Sequence, residues 1–222
     1  MSGVFKYYIQ IMIIAITYAV IVDTRAKKKE QPRDIINRHR AQYTSIVTLV
    51  TIAYILRYRT YFNLFQENPF NERRGIDDIL CVVMCGYLCG DLYVSRKFEK
   101  QLNRNMTPIY IHHILGIVSQ LITLKQGNSL GTSLVYVAEM LTSVRLFQPI
   151  VSKNTFIYMR LACYGMRAIV FWFYLIACTL FKTKVCIKYS NFTRRVWIVF
   201  IGCLIYLDKN WFLSTKRLLN KS

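Results

Sequence analysis

Apolar residues arrive along this chain in long blocks, separated by short runs rich in Lys and Arg. Residues 4–22 carry a single charge, Lys6. A helix needs roughly 20 apolar residues to cross a hydrocarbon layer of ~30 Å. Further blocks of this kind cover about 41–58, 76–95, 107–125, 130–151, 157–181 and 195–213. The pattern predicts an all-α, multi-pass transmembrane bundle of about seven helices. The second and last blocks are the least regular, with Arg57 in one and Asp208 and Lys209 in the other. The period-two alternation of a β-barrel is absent, and in lipid every backbone polar group must find its partner inside the protein.

Charge changes the picture in one respect. The net charge is +19, from 30 Lys and Arg against 11 Asp and Glu. A basic excess raises nucleic acid as a partner, but here the cations lie in connectors between apolar blocks, where lipid headgroups are the natural counter-charge. No nucleic-acid partner is expected. The first block is too long for a signal peptide, and its positive run follows it: Arg25, Lys27, Lys28, Lys29, then Arg33, Arg38 and Arg40. The positive-inside rule then puts that connector in the cytosol and the N-terminus on the lumenal side. Arg96, Lys97, Lys100 and Arg104 fall inside with it, as does a C-terminal tail with Lys216, Arg217 and Lys221. Arg57, Arg59, Arg73, Arg74 and the run Lys182, Lys184, Lys188, Arg194 and Arg195 fall outside and weaken the bias. Among the N-x-S/T triplets, Asn191-Phe192-Thr193 would be lumenal and Asn105-Met106-Thr107 cytosolic, both close to a span.

Seven cysteines occur without a CxxC pair. Cys81, Cys85 and Cys89 recur every fourth residue and share one helix face. Small thiols at that spacing read as packing residues rather than ligands, and no metal is expected.

The ionisable residues inside the apolar blocks carry the functional signal, because each costs about 2.5 kcal/mol or more to insert. They are Asp91, His112, His113, Glu139, Arg145, Arg160, Arg167 and Asp208. Asp91 lies five residues before Arg96, and His112 lies five residues after Thr107. At ~1.5 Å per residue both sit roughly 8 Å from the same membrane edge, on consecutive antiparallel helices. With Arg145, Arg160 and Asp208 in the same half and Glu139 near the middle, closure of the bundle would form a polar chamber open to the cytosol. Adjacent histidines point about 100° apart, so both cannot meet one small ligand equally. Asp91 either orients a histidine or caps its helix. Glu139 and Arg145 are six apart and each calls for a partner on another helix. Arg160 and Arg167 are seven apart on one face, a counter-charge for an acyl-CoA phosphate or for Glu139, and Arg160 near the edge is also placed to snorkel. Asp208 reads as an interfacial pair with Lys209, and Asp77 and Asp78 as complements to a helix dipole. Three histidines in all are too few for a histidine-rich di-iron centre. A neutral imidazole near pH 7 suits general-base or acyl-carrier chemistry.

Four landmarks in register carry a resemblance. Gly86-Tyr87 through Asp91-Leu92, the pair His112-His113, Gly116 four residues past the first histidine, and Ala138-Glu139 together resemble the TLC domain family. The likeness spans about residues 35–213, leaving 1–34 as an extra helix with its basic connector and 214–222 as a basic tail. It implies a six-helix core around a lipid cavity, with residence in the endoplasmic reticulum or another endomembrane. In its ceramide synthase branch a histidine pair serves N-acylation of a sphingoid base by acyl-CoA. That would make His112, His113 and Asp91 catalytic, and Glu139, Arg145, Arg160, Arg167 and Tyr87 lipid- or acyl-CoA-binding. Yet residues 130–148, LGTSLVYVAEMLTSVRLFQ, hold Glu139 as their one acid, where the synthases carry more. Ser143 and Arg145 replace the proline and asparagine usual elsewhere in the family. The pattern is therefore closer to the TLC-domain proteins outside the synthases. These features predict a lipid-homeostasis protein that binds or modifies a membrane lipid. An acyl-CoA-dependent N-acyltransferase is the alternative, with acyl-CoA as co-substrate and no resident cofactor. A transporter or ion pathway is a weaker one, since paired inverted repeats are not evident.

Overall fold

A computed structural model describes residues 3–27, 32–58, 75–102, 105–126, 139–179 and 191–219. Every regular element among them is helical: α1 (Gly3–Lys27), α2 (Pro32–Tyr58), α3 (Gly75–Lys97), the single turn α4 (Glu99–Leu102), α5 (Thr107–Gln126), a second single turn α6 (Met140–Ser143) that runs into a 3-10 turn (Val144–Phe147), α7 (Lys153–Thr179) and α8 (Asn191–Leu219).

Local chemistry explains where these helices start. Pro32 opens α2 with Asp34 in its first turn; the ring fixes φ for a helix and the missing N–H would have had no partner there. The helix thus begins well before the apolar block at 41 and carries Arg38, His39 and Arg40 inside it. Asn105 Oδ1 accepts from the Thr107 N–H at 3.0 Å, just ahead of α5, and Ser152 Oγ accepts from the Thr155 N–H at 3.1 Å to cap α7.

Three described helices are long and apolar enough to cross a membrane, at Lys6–Ala26, Asp78–Lys97 and Ile198–Leu219; Thr107–Ile122 is apolar but shorter. The expected seven-span bundle therefore stands only in its coarser form, an all-helical chain among whose described helices three are long and apolar enough to cross a membrane. The fifth predicted span, 130–151, lies outside the described residues as far as 138, and beyond that it is not one continuous helix. Pro149 has no N–H to continue a helix, and the chain turns at 148–150, with the N–H groups of Ile150 and Val151 bonding back to the Phe147 carbonyl at 2.9 and 3.1 Å. The basic residues Lys28, Lys29, Arg59, Arg73, Arg74, Arg104, Lys182, Lys184, Lys188 and Lys221, and Ala138 of the Ala138-Glu139 landmark, also lie outside the described residues.

The chain divides into two compact units, 1–43 with 73–133, and 44–72 with 134–222. In the first, α1 and α3 run parallel: Tyr7 bonds to Asp78, Tyr18 to Asp91, and Lys97 pairs with Asp23. Gly86 and Gly90 make this approach possible. A Cβ on Gly86 would lie 2.7 Å from Ile14, and one on Gly90 would lie 2.7 Å from the Ala15 carbonyl oxygen. Gly-x-x-x-Gly spacing lets helix backbones close on each other where lipid gives no hydrophobic drive for association. Cys81 and Cys85 pack in the apolar core with Ile11, Val82 and Leu124, and the Cys81 thiol donates to Gln120 Oε1 on α5. Helix α5 runs antiparallel to α3, with Gly116 against Leu88. In the second unit α7 and α8 are antiparallel, with Arg167 level with Asp208 and the Tyr164 ring edge-on to Phe212.

Candidate functional site: two buried ionic clusters

Asp91 sits four turns into α3, fully buried, and gathers side chains from three other helices. Arg40 Nε donates to both its oxygens, at 2.7 and 3.0 Å. Tyr18 OH donates to Oδ1 at 3.1 Å, and His113 Nε2 lies 2.7 Å from Oδ2. Arg40 Nη2 donates in turn to Ser95 Oγ. Taking an isolated ion out of water costs several kcal/mol even after relaxation, so such groups survive inside only when paired and hydrogen-bonded. Here the carboxylate accepts along both oxygens, and one guanidinium answers its charge.

His113 spends both nitrogens in this arrangement. Nδ1 lies 2.8 Å from the Ile109 carbonyl oxygen, one turn back on α5, while Nε2 meets Asp91. Neither nitrogen is turned to a substrate. The depth match between Asp91 and the histidines is thus realised as direct contact, and Asp91 orients His113 while also anchoring Arg40. His112 is half-buried, with its ring nearly perpendicular to that of His113 and centroids 5.5 Å apart. Tyr87, expected to bind lipid or acyl-CoA, is buried and stacked on Tyr43 at 4.4 Å with Tyr18 edge-on at 5.2 Å, and Tyr43 OH donates to the Val83 carbonyl at 2.9 Å.

The second cluster lies in the other unit and centres on Arg167. Its Nε donates to Asp208 Oδ2 at 2.7 Å and its Nη2 to Oδ1, a two-pronged pair that is buried on both sides. The guanidinium lies 5.6 Å from the Tyr164 ring centroid and 5.7 Å from that of Trp211, within cation–π range. Buried Glu139 is near enough to act on the same guanidinium electrostatically and accepts a long hydrogen bond from Thr142 Oγ1. This corrects one expectation. Asp208 does not form an interfacial pair with Lys209, which is exposed, because residue 208 falls on the face of α8 turned to α7. Arg167, expected as a counter-charge for an acyl-CoA phosphate or for Glu139, has Asp208 as its hydrogen-bonded partner. Arg160 is half-buried; it donates to Tyr164 OH at 3.4 Å and lies over the Phe156 ring. Arg145 is half-buried in the 3-10 turn. Each unit thus holds one buried ionic cluster.

Sequence reasoning missed Arg40 and Tyr18. Arg40 was grouped with the cytosolic basic run, yet Pro32 and Asp34 already mark a helix start ahead of it. Ile36, Arg40, Thr44, Thr48 and Thr51 then form one buried stripe at helical spacing. Asp78 was read as a dipole complement; it is buried and accepts from Tyr7 OH at 2.8 Å. His39 stays outside the apolar stretch, where burial first, then Arg25 and Arg38, push its pKa below the usual 6.5. Compared with protein-family models, with curated proteins and with solved structures, the chain matches none.

Proposed function

We propose that this chain is a multi-pass membrane protein of the TLC type that acts in lipid homeostasis by binding or modifying a membrane lipid. The observation that supports the reading is the 2.7 Å contact between Asp91 on α3 and His113 on α5. Two landmarks chosen from sequence spacing meet as a buried polar centre among apolar helices, and buried ionisable groups at membrane depth are retained where they serve a function. The orientation proposed with it puts the C-terminal ends of α1 and α3 at the cytosolic face of an endoplasmic reticulum membrane, because Arg25, Arg96 and Lys97 gather there.

His112, half-buried beside His113 on α5, is the candidate base for the acyl-transfer version of this reading. A long-chain amine would attack the acyl-CoA thioester carbonyl. The new C–N bond forms as the C–S bond breaks, the amine proton passes to His112, and the thiolate of CoA leaves to be protonated. Membranes containing the full chain, given labelled acyl-CoA and long-chain amines, test it. Loss of labelled amide in His112→Ala, with activity retained in His113→Gln, supports transfer. Amide formation that is the same in wild type and His112→Ala removes it. Absence of product with every amine, together with an altered lipid profile in cells overexpressing the chain, supports the non-enzymatic version. An unchanged lipid profile with no product sinks the lipid reading as a whole.

A further inference from the structure

An apolar groove of about 370 Å³ runs along the outer side of the α1–α3 pair, away from the Asp91 cluster. Ala15, Ala19 and Gly90 line it with little side-chain bulk, while Ile16, Val20 and Tyr93, each more than half exposed, rise beside it. Its single charged lining residue is Asp23, at the end of α1, where Lys97 pairs with it at 2.6 Å. The groove's axis is set by the parallel helices. Ala15 lies near the middle of the apolar stretch Lys6–Ala26, and Asp23 lies at its charged end. Eight residues at ~1.5 Å give a length of ~12 Å, against ~15 Å for half of a ~30 Å hydrocarbon core. The groove therefore spans most of one leaflet, from the midplane to the headgroup level.

We infer that this groove seats one acyl chain of an anionic phospholipid in the leaflet at the basic end. Both its walls belong to helices that are long and apolar enough to cross the membrane. Among the described side chains at that end of α1, α3 and α4, four cations, Arg25, Arg96, Lys97 and Lys100, stand against two carboxylates, Asp23 and Glu99. Asp23 is neutralised by Lys97, whose ammonium also lies 5.9 Å from the Tyr93 ring centroid, and Arg96 pairs with Glu99. The excess of positive charge attracts a phosphate-bearing head with net negative charge, while the small residues admit a chain beneath it. The inference rests on the membrane-spanning character of α1 and α3 and not on the TLC reading.

The test uses the full chain in nanodiscs of equal parts phosphatidylcholine and phosphatidylglycerol, with a trace of phosphatidylglycerol bearing a diazirine on one acyl chain. Adducts mapped by mass spectrometry should concentrate on Ile16, Val20 and Tyr93 over Met12 and Ile13, which are equally exposed on α1 but do not line the groove. Ala19→Phe, which fills the floor, should remove most of that excess. Val20→Trp, which alters only an exposed wall, should do the same and guards against misfolding of the first variant. A diazirine phosphatidylcholine with the same chain should label the groove about 25-fold less, since each of the two excess cations favours an anionic head by roughly fivefold. Adducts no denser than at Met12 and Ile13, labelling indifferent to both variants, or equal labelling by the two heads would each overturn the inference. So would cross-linked dimers joined through Cys89, which lines the groove, since they would put a second copy of the chain there.

Discussion

Arg40 and Asp91 are 51 residues apart in sequence and form a buried ion pair in which Nε reaches both carboxylate oxygens, at 2.7 and 3.0 Å. One end of the pair comes from a helix that starts at Pro32 in a basic connector, the other from the basic end of an apolar span. Removing either partner leaves an uncompensated charge inside, which costs about 3–5 kcal/mol. Arg40→Met and Asp91→Leu should each lower the thermal unfolding midpoint of purified protein in detergent, and the double variant should recover much of the loss. Additive losses in the double variant would show that the two residues act apart.

Arg167 and Asp208 make the same kind of prediction in the other unit, with a sharper geometric requirement. The two-pronged contact needs the planar guanidinium, and a lysine ammonium cannot reproduce it. Arg167→Lys should therefore destabilise α7–α8 packing by about 1–3 kcal/mol, a loss of one charge-assisted hydrogen bond. Thermal unfolding read by near-ultraviolet circular dichroism will follow it, because Trp211 and Tyr164 flank the guanidinium. A variant indistinguishable from wild type would deny the pair its bidentate role.

The glycines separate into two kinds. A methyl on Gly90 would meet the Ala15 carbonyl oxygen at 2.7 Å, a backbone atom that can move only with its helix. Gly90→Ala should cost about 1–3 kcal/mol through overpacking. Gly165 and Gly202 have no described atom within 4 Å of the added carbon, so Gly165→Ala and Gly202→Ala should stabilise their helices by about 0.5–1 kcal/mol each. Gly116 lies between these cases, since its neighbour is the far end of the flexible Leu88 side chain, and Gly116→Ala should be close to neutral. Unfolding midpoints of the four single variants check the order.

His39 supplies a pH dependence. Burial and the neighbouring Arg25 and Arg38 depress its pKa from the usual 6.5, so folding favours the neutral ring. The stabilisation is present above pH 6.5, where the unfolded ring is also neutral, and is lost as pH falls through the folded value. Wild type should lose stability as pH falls below about 6.5, and His39→Gln should show a flatter profile there. Identical profiles would exclude His39 as the group responsible.

Much of the helical architecture was legible in the order of residues. The apolar blocks predicted α1, α3, α5, α7 and α8 with ends close to those found, because a segment that must satisfy every backbone group in lipid has little choice but helix. The depth match between Asp91 and the histidine pair was also legible, since a fixed rise per residue turns sequence distance from a charged edge into depth. Partnership was not. Depth says nothing about which faces of which helices meet, and so Arg40 was placed in the cytosolic basic run and Asp208 beside Lys209 at the interface, while Tyr18 was assigned no partner. Only the tertiary structure decided these, through the close approach at Gly86 and Gly90 that brings Tyr18 to Asp91, and the early start of α2 that turns Arg40 inward. An ion pair between residues 51 apart depends on helix rotation and contact, and those are set by packing rather than by composition.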